Sequence, residues 1–358
     1  MKILQVITSL LPGGAETLVA DLMPCFREYG IDAEIAVFNA LDTPLSRSLS
    51  CQVFRVHRFS PDGGNVYSPC NLMKLRKLIS SGNYDIVHTH NTACQLFGAM
   101  CRVDSGTRKV TTEHNTFNRR QKLSAMKYVD RLMYSTYDRV VCISEGVLAS
   151  LTDFVGDDIA GKCEIIPNGV HLEKYSGSIG HIDHDKGITV IMVAGFRDQK
   201  DQDTAVRAMA ALPDRFRLIL VGDGARIDNV KRLASEIGVG DRIEFTGFRD
   251  DVPDLLNTSD IVLMSSHYEG LSLSNIEGMA SGRPFVASDV SGLREVTAGA
   301  GILFPEGDHV RLAEILCRLA EDRGLYAETA EKCRRRASGY DIKVTARRYV
   351  ECYGRMMT

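Results

Sequence analysis

The sequence predicts an α/β protein made of two doubly wound parallel sheets facing a central cleft. Short β-branched runs alternate with amphipathic stretches from end to end, and one polar, aperiodic stretch rich in Gly, His and Asp interrupts the series. A chain of 358 residues has room for about two domains of ordinary size.

The first series of runs is ILQVIT, AEIAVF, DIVHTH, KVTTEH and RVVCI; the second is ITVIMVA, FRLILVG, RIEFTG, DIVLMSS and PFVASD. Apolar runs of this kind are strands buried on both faces, as parallel sheets covered by helices require. The interrupting stretch, PNGVHLEKYSGSIGHIDHDKG, divides the chain into an N-terminal domain (1–170), a linker (171–186) and a C-terminal domain (187–340). The last segment, DIKVTARRYVECYGRM, reads as a terminal helix with Asp341 as N-cap and Val344, Tyr349 and Tyr353 apolar. Ligands of doubly wound sheets bind beyond the carboxyl ends of the strands, so the loops after ILQVIT, ITVIMVA and DIVLMSS are expected to line the cleft.

Composition narrows the function classes. With 44% apolar and 25% charged residues, a net charge of −3 and no long like-charge segment, the chain reads as a folded, water-soluble protein with no nucleic-acid partner. The first apolar run is too short to span a bilayer and fits a buried strand better than a signal peptide. Ten cysteines without a Cys-x-x-Cys read as reduced, mostly buried thiols, and the expected location is the cytoplasm. His88 and His90 stand two apart on a strand with no carboxylate at ligand spacing, which favours a polar strand end over a zinc site; no metal is expected.

Three loops carry candidate chemistry. PGGAE, residues 12–16, joins the first strand to a helix whose inner face is Leu18, Leu22, Phe26 and Tyr29, and Gly13 and Gly14 would let backbone amides approach a phosphate; a plain tight turn explains the pair equally well. No Gly-x-Gly-x-x-Gly follows either leading strand, which counts against a dinucleotide cofactor. GFRDQKDQD places Arg197 and Lys200 at a strand end, two cations suited to a diphosphate or to a solvated surface loop.

The third loop, HYEGLSLSNIEGMASGRP, holds Glu269 and Glu277. Ser274 and Glu277 have the Ser-x-x-Glu spacing of a capping box, so Glu277 has a purely structural explanation. Glu269 has none, and a loop carboxylate at a strand mouth suits the hydroxyls of a sugar. The amides of Ser272, Leu273 and Ser274 at the helix start suit an anion. The stretch therefore supplies both halves of a sugar-phosphate site; a glycosidase pair would need both carboxyls across one glycosidic bond, and nothing else supports it.

These residues resemble family 4 of the retaining glycosyltransferases, whose GT-B fold has two Rossmann-like domains. IIPNGVHLEKY resembles the family's interdomain segment. VGDGARIDNVKRLASEIGVGDRIEFTGFRDDVPDLLNTSDIVLMSS resembles its nucleotide-binding half, EGLSLSNIE keeps its Glu, seven residues, Glu signature, and GGAE and the His of TTEHN correspond in the N-terminal half. The resemblance implies an acceptor-side N-terminal domain on which 341–358 packs. It implies that Glu269 contacts the donor sugar and Glu277 the ribose, that Lys200 binds the diphosphate, that Gly14 approaches phosphates or acceptor, and that His114 lies near the reacting sugar. One departure stands out: the family usually has Arg where this chain has Gly195, so either Arg197 replaces it from the next turn of the loop or diphosphate binding is weaker.

The expected activity is transfer of a sugar from a nucleoside diphosphate donor to a hydroxyl acceptor with retention, without cofactor or essential metal. Two rivals share the donor site: a nucleotide-sugar epimerase or hydrolase, and a non-catalytic nucleotide-sugar binding protein. Residues 118–139 add a partner. Arg119, Arg120, Lys122, Lys127 and Arg131 near Leu123, Met126, Tyr128 and Leu132 suit an anionic membrane and hence a lipid-linked acceptor, against the alternative that these apolar residues face the core.

Overall fold

The computed structural model describes every residue except 12, 117–122, 176–178, 181, 183–186 and 358. The chain forms two compact units, Met1–Gly169 together with Ile342–Thr358, and Val170–Asp341. The second unit takes in Val170 and the described residues of 171–186, the stretch read as a linker, and there Leu172–Tyr175 make a 3₁₀ turn with Tyr175 buried.

The first unit is built on a seven-stranded parallel sheet: β1 (Lys2–Ser9), β2 (Asp32–Asn39), β3 (Val56–Ser60), β4 (Ile86–His90), β5 (Arg108–Glu113), β6 (Arg139–Cys142) and β7 (Cys163–Ile165), in the order β3-β2-β1-β4-β5-β6-β7. The second carries six parallel strands: β8 (Ile188–Val193), β9 (Phe216–Val221), β10 (Ile243–Gly247), β11 (Ile261–Met264), β12 (Phe285–Ser288) and β13 (Ile302–Phe304), in the order β10-β9-β8-β11-β12-β13. In each sheet the order reverses beside the leading strand, between β1 and β4 and between β8 and β11. Loops diverge there and leave a crevice.

Strand alternation assigns the two faces of the first sheet. Ile3, Ile7, Ile35, Val37 and Ile86 pack with Leu18, Leu22 and Phe26 of the helix Gly14–Glu28 and with Ile342, Ala346, Tyr349 and Tyr353 of the C-terminal helix Ile342–Met357. Leu4, Val6, Phe38 and Val87 pack on the opposite face with Leu75, Ile79 and Phe97. Two expected core positions are otherwise placed: Tyr29 follows the end of its helix and is exposed, and Val344 is only half-buried because Ile342 and Ala346 take the inner side.

Three strands, β3, β7 and β13, have no counterpart among the runs read from the sequence. Each is an edge strand of three to five residues, paired on one side only, so it needs no long buried run.

Candidate functional site

The crevice end of the second sheet gathers the predicted donor-site residues. After β8 the chain passes Gly195 and Arg197 into a 3₁₀ turn, Asp198–Lys200. Asp201 then adopts a left-handed conformation, φ 45°, and caps the helix Gln202–Ala211 by accepting from the Thr204 amide. A short acidic side chain tolerates that conformation because it bonds its own neighbouring backbone.

After β11, Ser265 donates to the Asp201 carbonyl at 2.7 Å, fastening the two loops together. Ser266 Oγ donates to Glu269 Oε1 at 2.6 Å, and Lys200 Nζ donates to the same oxygen at 2.5 Å. Glu269 is only 5% exposed. A carboxylate so buried requires a charged partner and hydrogen bonds, and Lys200 and Ser266 supply them from different loops. Gln199 closes the frame, accepting from the His267 amide at 2.8 Å and donating to the Tyr268 carbonyl at 2.8 Å. Gly292, at φ 81°, lies against this loop; a Cβ there would stand 2.4 Å from the Glu269 carbonyl oxygen. Ser266, Gln199 and Gly292 were absent from the sequence reading, because neither their spacing nor their residue type differs from that of ordinary loop positions.

The helix Leu273–Ala280 begins at Ser272, whose side chain makes no capping bond. The capping box expected at Ser274 and Glu277 is therefore not formed: Ser274 is already inside the first turn, and Asn275, not Glu277, stands three residues after the N-cap. Glu277 is half-buried. Arg197 is exposed, with Nε 3.9 Å from the point where a Gly195 side chain would begin. Arg226 pairs with Asp198 at 2.6 Å and with Asp203 at 2.8 Å, and Arg197 has no ion pair among the described residues.

In the first unit, Gly14 opens the helix Gly14–Glu28, and a Cβ there would meet nothing within 4 Å. At Gly13 a Cβ would stand 2.5 Å from Glu16 Oε2, so the glycine makes room for that carboxylate. Asn91, directly after β4, holds φ 66° and ψ 151°, a conformation that costs a non-glycine residue roughly 1–3 kcal/mol. Its amide nitrogen is bonded to Thr8 Oγ1 at 2.9 Å and to Glu16 Oε1 at 3.1 Å.

His114 follows β5, and its Nε2 lies 3.0 Å from His90 Nδ1. The register pairs Gln5 with His88 and His90 with Thr112, so these four share one face of the sheet, under the C-terminal helix. His90 Nε2 meets Gln5 Oε1 at 2.7 Å; Gln5 Nε2 meets Tyr353 Oη at 3.3 Å; Tyr353 Oη meets His88 Nδ1 at 2.6 Å; and His88 Nε2 meets Thr112 Oγ1 at 2.7 Å. His88 and His90, expected as a polar strand end, are instead fully buried. Burial holds His114 at about 4 and, with the charge of His114, His88 at about 3; burial likewise drives His90 well down. All three are neutral imidazoles near pH 7.

Of the basic segment, Arg119, Arg120 and Lys122 lie outside the described residues. The helix Met126–Ser135 buries Met133 and Tyr134 but leaves Leu123 before it and Tyr128, Val129 and Leu132 on it exposed, next to the exposed Lys127 and Arg131. Leu123, Tyr128 and Leu132 thus do not face the core; Met126 is half-buried. Among the described residues no helix is long and apolar enough to cross a membrane.

Residues 12–174 match Glycosyltransferase Family 4, and residues 187–322 match Glycosyl transferases group 1. The UDP-Gal:alpha-D-GlcNAc-diphosphoundecaprenol alpha-1,3-galactosyltransferase of Escherichia coli is 25% identical over 296 residues, 76% of each chain. The lipopolysaccharide core biosynthesis glycosyltransferase LpsE of Rhizobium meliloti is 30% identical over 214 residues, 57% of this chain and 61% of its own. The crystal structure of Anabaena HepE in complex with UDP-glucose superposes with a TM-score of 0.85 at 22% identity, covering 99% of both chains.

Two Rossmann-like units with these matches define a glycosyltransferase of the GT-B fold. Its N-terminal half is similar to Glycosyltransferase Family 4 and its C-terminal half to Glycosyl transferases group 1, and the relatives it matches are named glycosyltransferases.

Proposed function

We propose that the enzyme transfers a hexose from a UDP-sugar, with retention of anomeric configuration, to a hydroxyl of a lipid-linked glycan or surface-polysaccharide precursor. The observation that carries this reading is the Lys200–Glu269 pair at the crevice end of the second sheet, 2.5 Å apart, with Glu269 buried and backed by Ser266. A diphosphate entering there competes with Glu269 for the Lys200 ammonium. As Lys200 turns to phosphate, Glu269 is released to accept hydrogen bonds from sugar hydroxyls, so one exchange fills both roles.

As the anomeric bond breaks, negative charge grows on the diphosphate. Lys200, Arg197 and the amides of Ser272, Leu273 and Ser274 receive it, and loss of one such contact typically costs about 100-fold to 1000-fold in rate. Glu277 binds the ribose. The chemistry asks for no metal, since cations and amide dipoles neutralise the leaving group. Retention is explained by front-face attack, with the acceptor hydroxyl arriving on the side from which the diphosphate departs. Gly14, with open space over its backbone, and His114 are the first unit's substrate contacts.

UDP in this role is supported by the donor in the name of the Escherichia coli galactosyltransferase and by the ligand of HepE. A lipid-linked acceptor is supported by that same relative's diphosphoundecaprenol substrate and by the outward apolar side chains of Met126–Ser135, beside Lys127 and Arg131. Incubation with UDP-glucose or UDP-galactose and a polyprenyl diphosphate-linked N-acetylglucosamine tests the reading. A lengthened glycan lipid with an α-linkage supports it; an epimerised or hydrolysed sugar without transfer overturns it.

A further inference from the structure

The buried contacts that join His88, Tyr353, Gln5, His90 and His114 admit two proton orders in which the Tyr353 hydrogen finds an acceptor, and the difference reaches His114. Tyr353 Oη has one hydrogen to give. With the Gln5 amide nitrogen turned toward it at 3.3 Å, Tyr353 accepts from Gln5 and donates to His88 Nδ1, which passes its own Nε2 hydrogen to Thr112 Oγ1. Gln5 Oε1 then accepts from His90 Nε2, so His90 Nδ1 carries a lone pair and accepts from His114 Nε2. His114 is left with an unprotonated Nδ1.

The reverse order turns the Gln5 amide over, sends the Tyr353 hydrogen to Gln5 and puts a proton on His114 Nδ1. That atom is buried and has no partner among the described residues. An orphaned buried N–H is rarer and costlier than an orphaned acceptor, which decides between the two.

We infer that the C-terminal helix sets the tautomer of His114: Tyr353, Gln5 and His90 are positioning residues that hold it as the Nε2–H form and present its Nδ1 lone pair to a hydroxyl of the substrate. The second half of this inference rests on the proposed donor-sugar role of His114; the first half does not. A neutral acceptor here suits a sugar hydroxyl and not a phosphate oxygen, which has no proton to give at neutral pH. Burial keeps the imidazole uncharged, its titration lying at about 4. The C-terminal helix, remote from β5 in sequence, thereby acts on a group at the end of that strand through hydrogen bonds alone.

Nitrogen-15 NMR of the full chain labelled at histidine reads the tautomer directly. The expected wild-type signal shows His114 protonated on Nε2 only, and addition of UDP-glucose moves its Nδ1 resonance. Tyr353→Phe keeps the ring in the core and removes the hydroxyl. It should produce a second His114 population protonated on Nδ1 and lower kcat for UDP-glucose about tenfold with KM little changed, as loss of one oriented hydrogen bond predicts. His90→Asn places an acceptor where Nδ1 stood and should keep the Nε2–H form; His90→Leu should not.

A wild-type His114 carrying its proton on Nδ1 overturns the inference, and so does a Tyr353→Phe enzyme with unchanged tautomer. UDP-glucose that binds without moving the Nδ1 resonance overturns the hydroxyl contact. Because the tautomer is read without turnover, an enzyme that never uses UDP-glucose refutes the donor assignment while the NMR still decides the relay.

Discussion

Lys200 Nζ and Glu269 Oε1 stand 2.5 Å apart in the second unit, on loops separated by almost seventy residues of sequence. Ser266 shares the same carboxylate oxygen. Removing Lys200 takes the cationic partner from a carboxylate that is 5% exposed, so the pair couples stability to activity.

Lys200→Ala is expected to lower the melting temperature and to reduce transfer at saturating UDP-sugar at least about 100-fold. Glu269→Gln keeps an oxygen for Ser266 and should cost less stability while losing comparable activity. Calorimetry beside steady-state kinetics separates the two effects. Near-wild-type turnover in either variant removes the pair from the site.

Arg197 stands two residues after Gly195, where the family's cation is absent. Arg197→Ala should weaken UDP binding much more than uridine binding in titration calorimetry. A side chain at Gly195 would meet Asp223 O at 3.5 Å and Arg197 Nε at 3.9 Å, ordinary contacts, so Gly195→Arg in the Arg197→Ala background is expected to fold and to recover UDP affinity. Equal losses for UDP and uridine would mark Arg197 as surface charge.

Glu277 makes no capping box, so Glu277→Ala should lack the ~1 kcal/mol loss typical of a removed cap. UDP affinity should fall through the ribose, with 2′-deoxy-UDP less affected than UDP. A variant that melts early and binds UDP normally would return Glu277 to a structural role.

Acid should unfold the first unit early. Burial depresses His88 to about 3 and His114 to about 4, so their neutral forms stabilise the fold fully above the unfolded value near 6.5. That contribution is lost as pH falls from about 6.5 toward 4, where the unfolded chain binds protons that the native one refuses, at about 1.4 kcal/mol per pH unit for each such group. Glu34 adds a lower window. Burial alone would raise it, but hydrogen bonds from Tyr84, His57 and Lys2 outweigh burial and hold it at about 2, so its contribution disappears between about 4.5 and 2. Denaturant titrations from pH 8 to 4 should show falling stability. The same neutrality predicts a kcat profile with no limb near pH 6.5, and such a limb removed by His114→Gln would contradict it.

Membrane docking predicts that the enzyme sediments with anionic vesicles at low salt and is released by high salt. Tyr128 and Leu132, 73% and 70% exposed, should contribute, so Tyr128→Ser with Leu132→Ser should weaken sedimentation and leave hydrolysis of UDP-glucose unchanged. Equal pelleting with neutral and anionic vesicles would refute the docking face.

Much of this protein follows from local sequence. Runs such as ILQVIT and ITVIMVA declare the central strands, because a strand buried on both faces must be apolar throughout. Glu269 stands out in the sequence because a carboxylate at the mouth of such a strand has no helix to cap, whereas Lys200 reads equally as a solvated loop charge until the family resemblance gives it a role.

Only the tertiary structure decided the rest. Whether Glu277 caps its helix depended on where that helix begins, and the first turn starts at Leu273, too early for Ser274 to serve. Ser266, Gln199 and Gly292 acquire meaning only when β8, β11 and β12 bring their loops together. The chain from Tyr353 to His114 draws on β1, β4, the end of β5 and the C-terminal helix. Hydrogen-bond partners in a buried network are chosen by register and packing across distant segments, and no spacing within one segment encodes them.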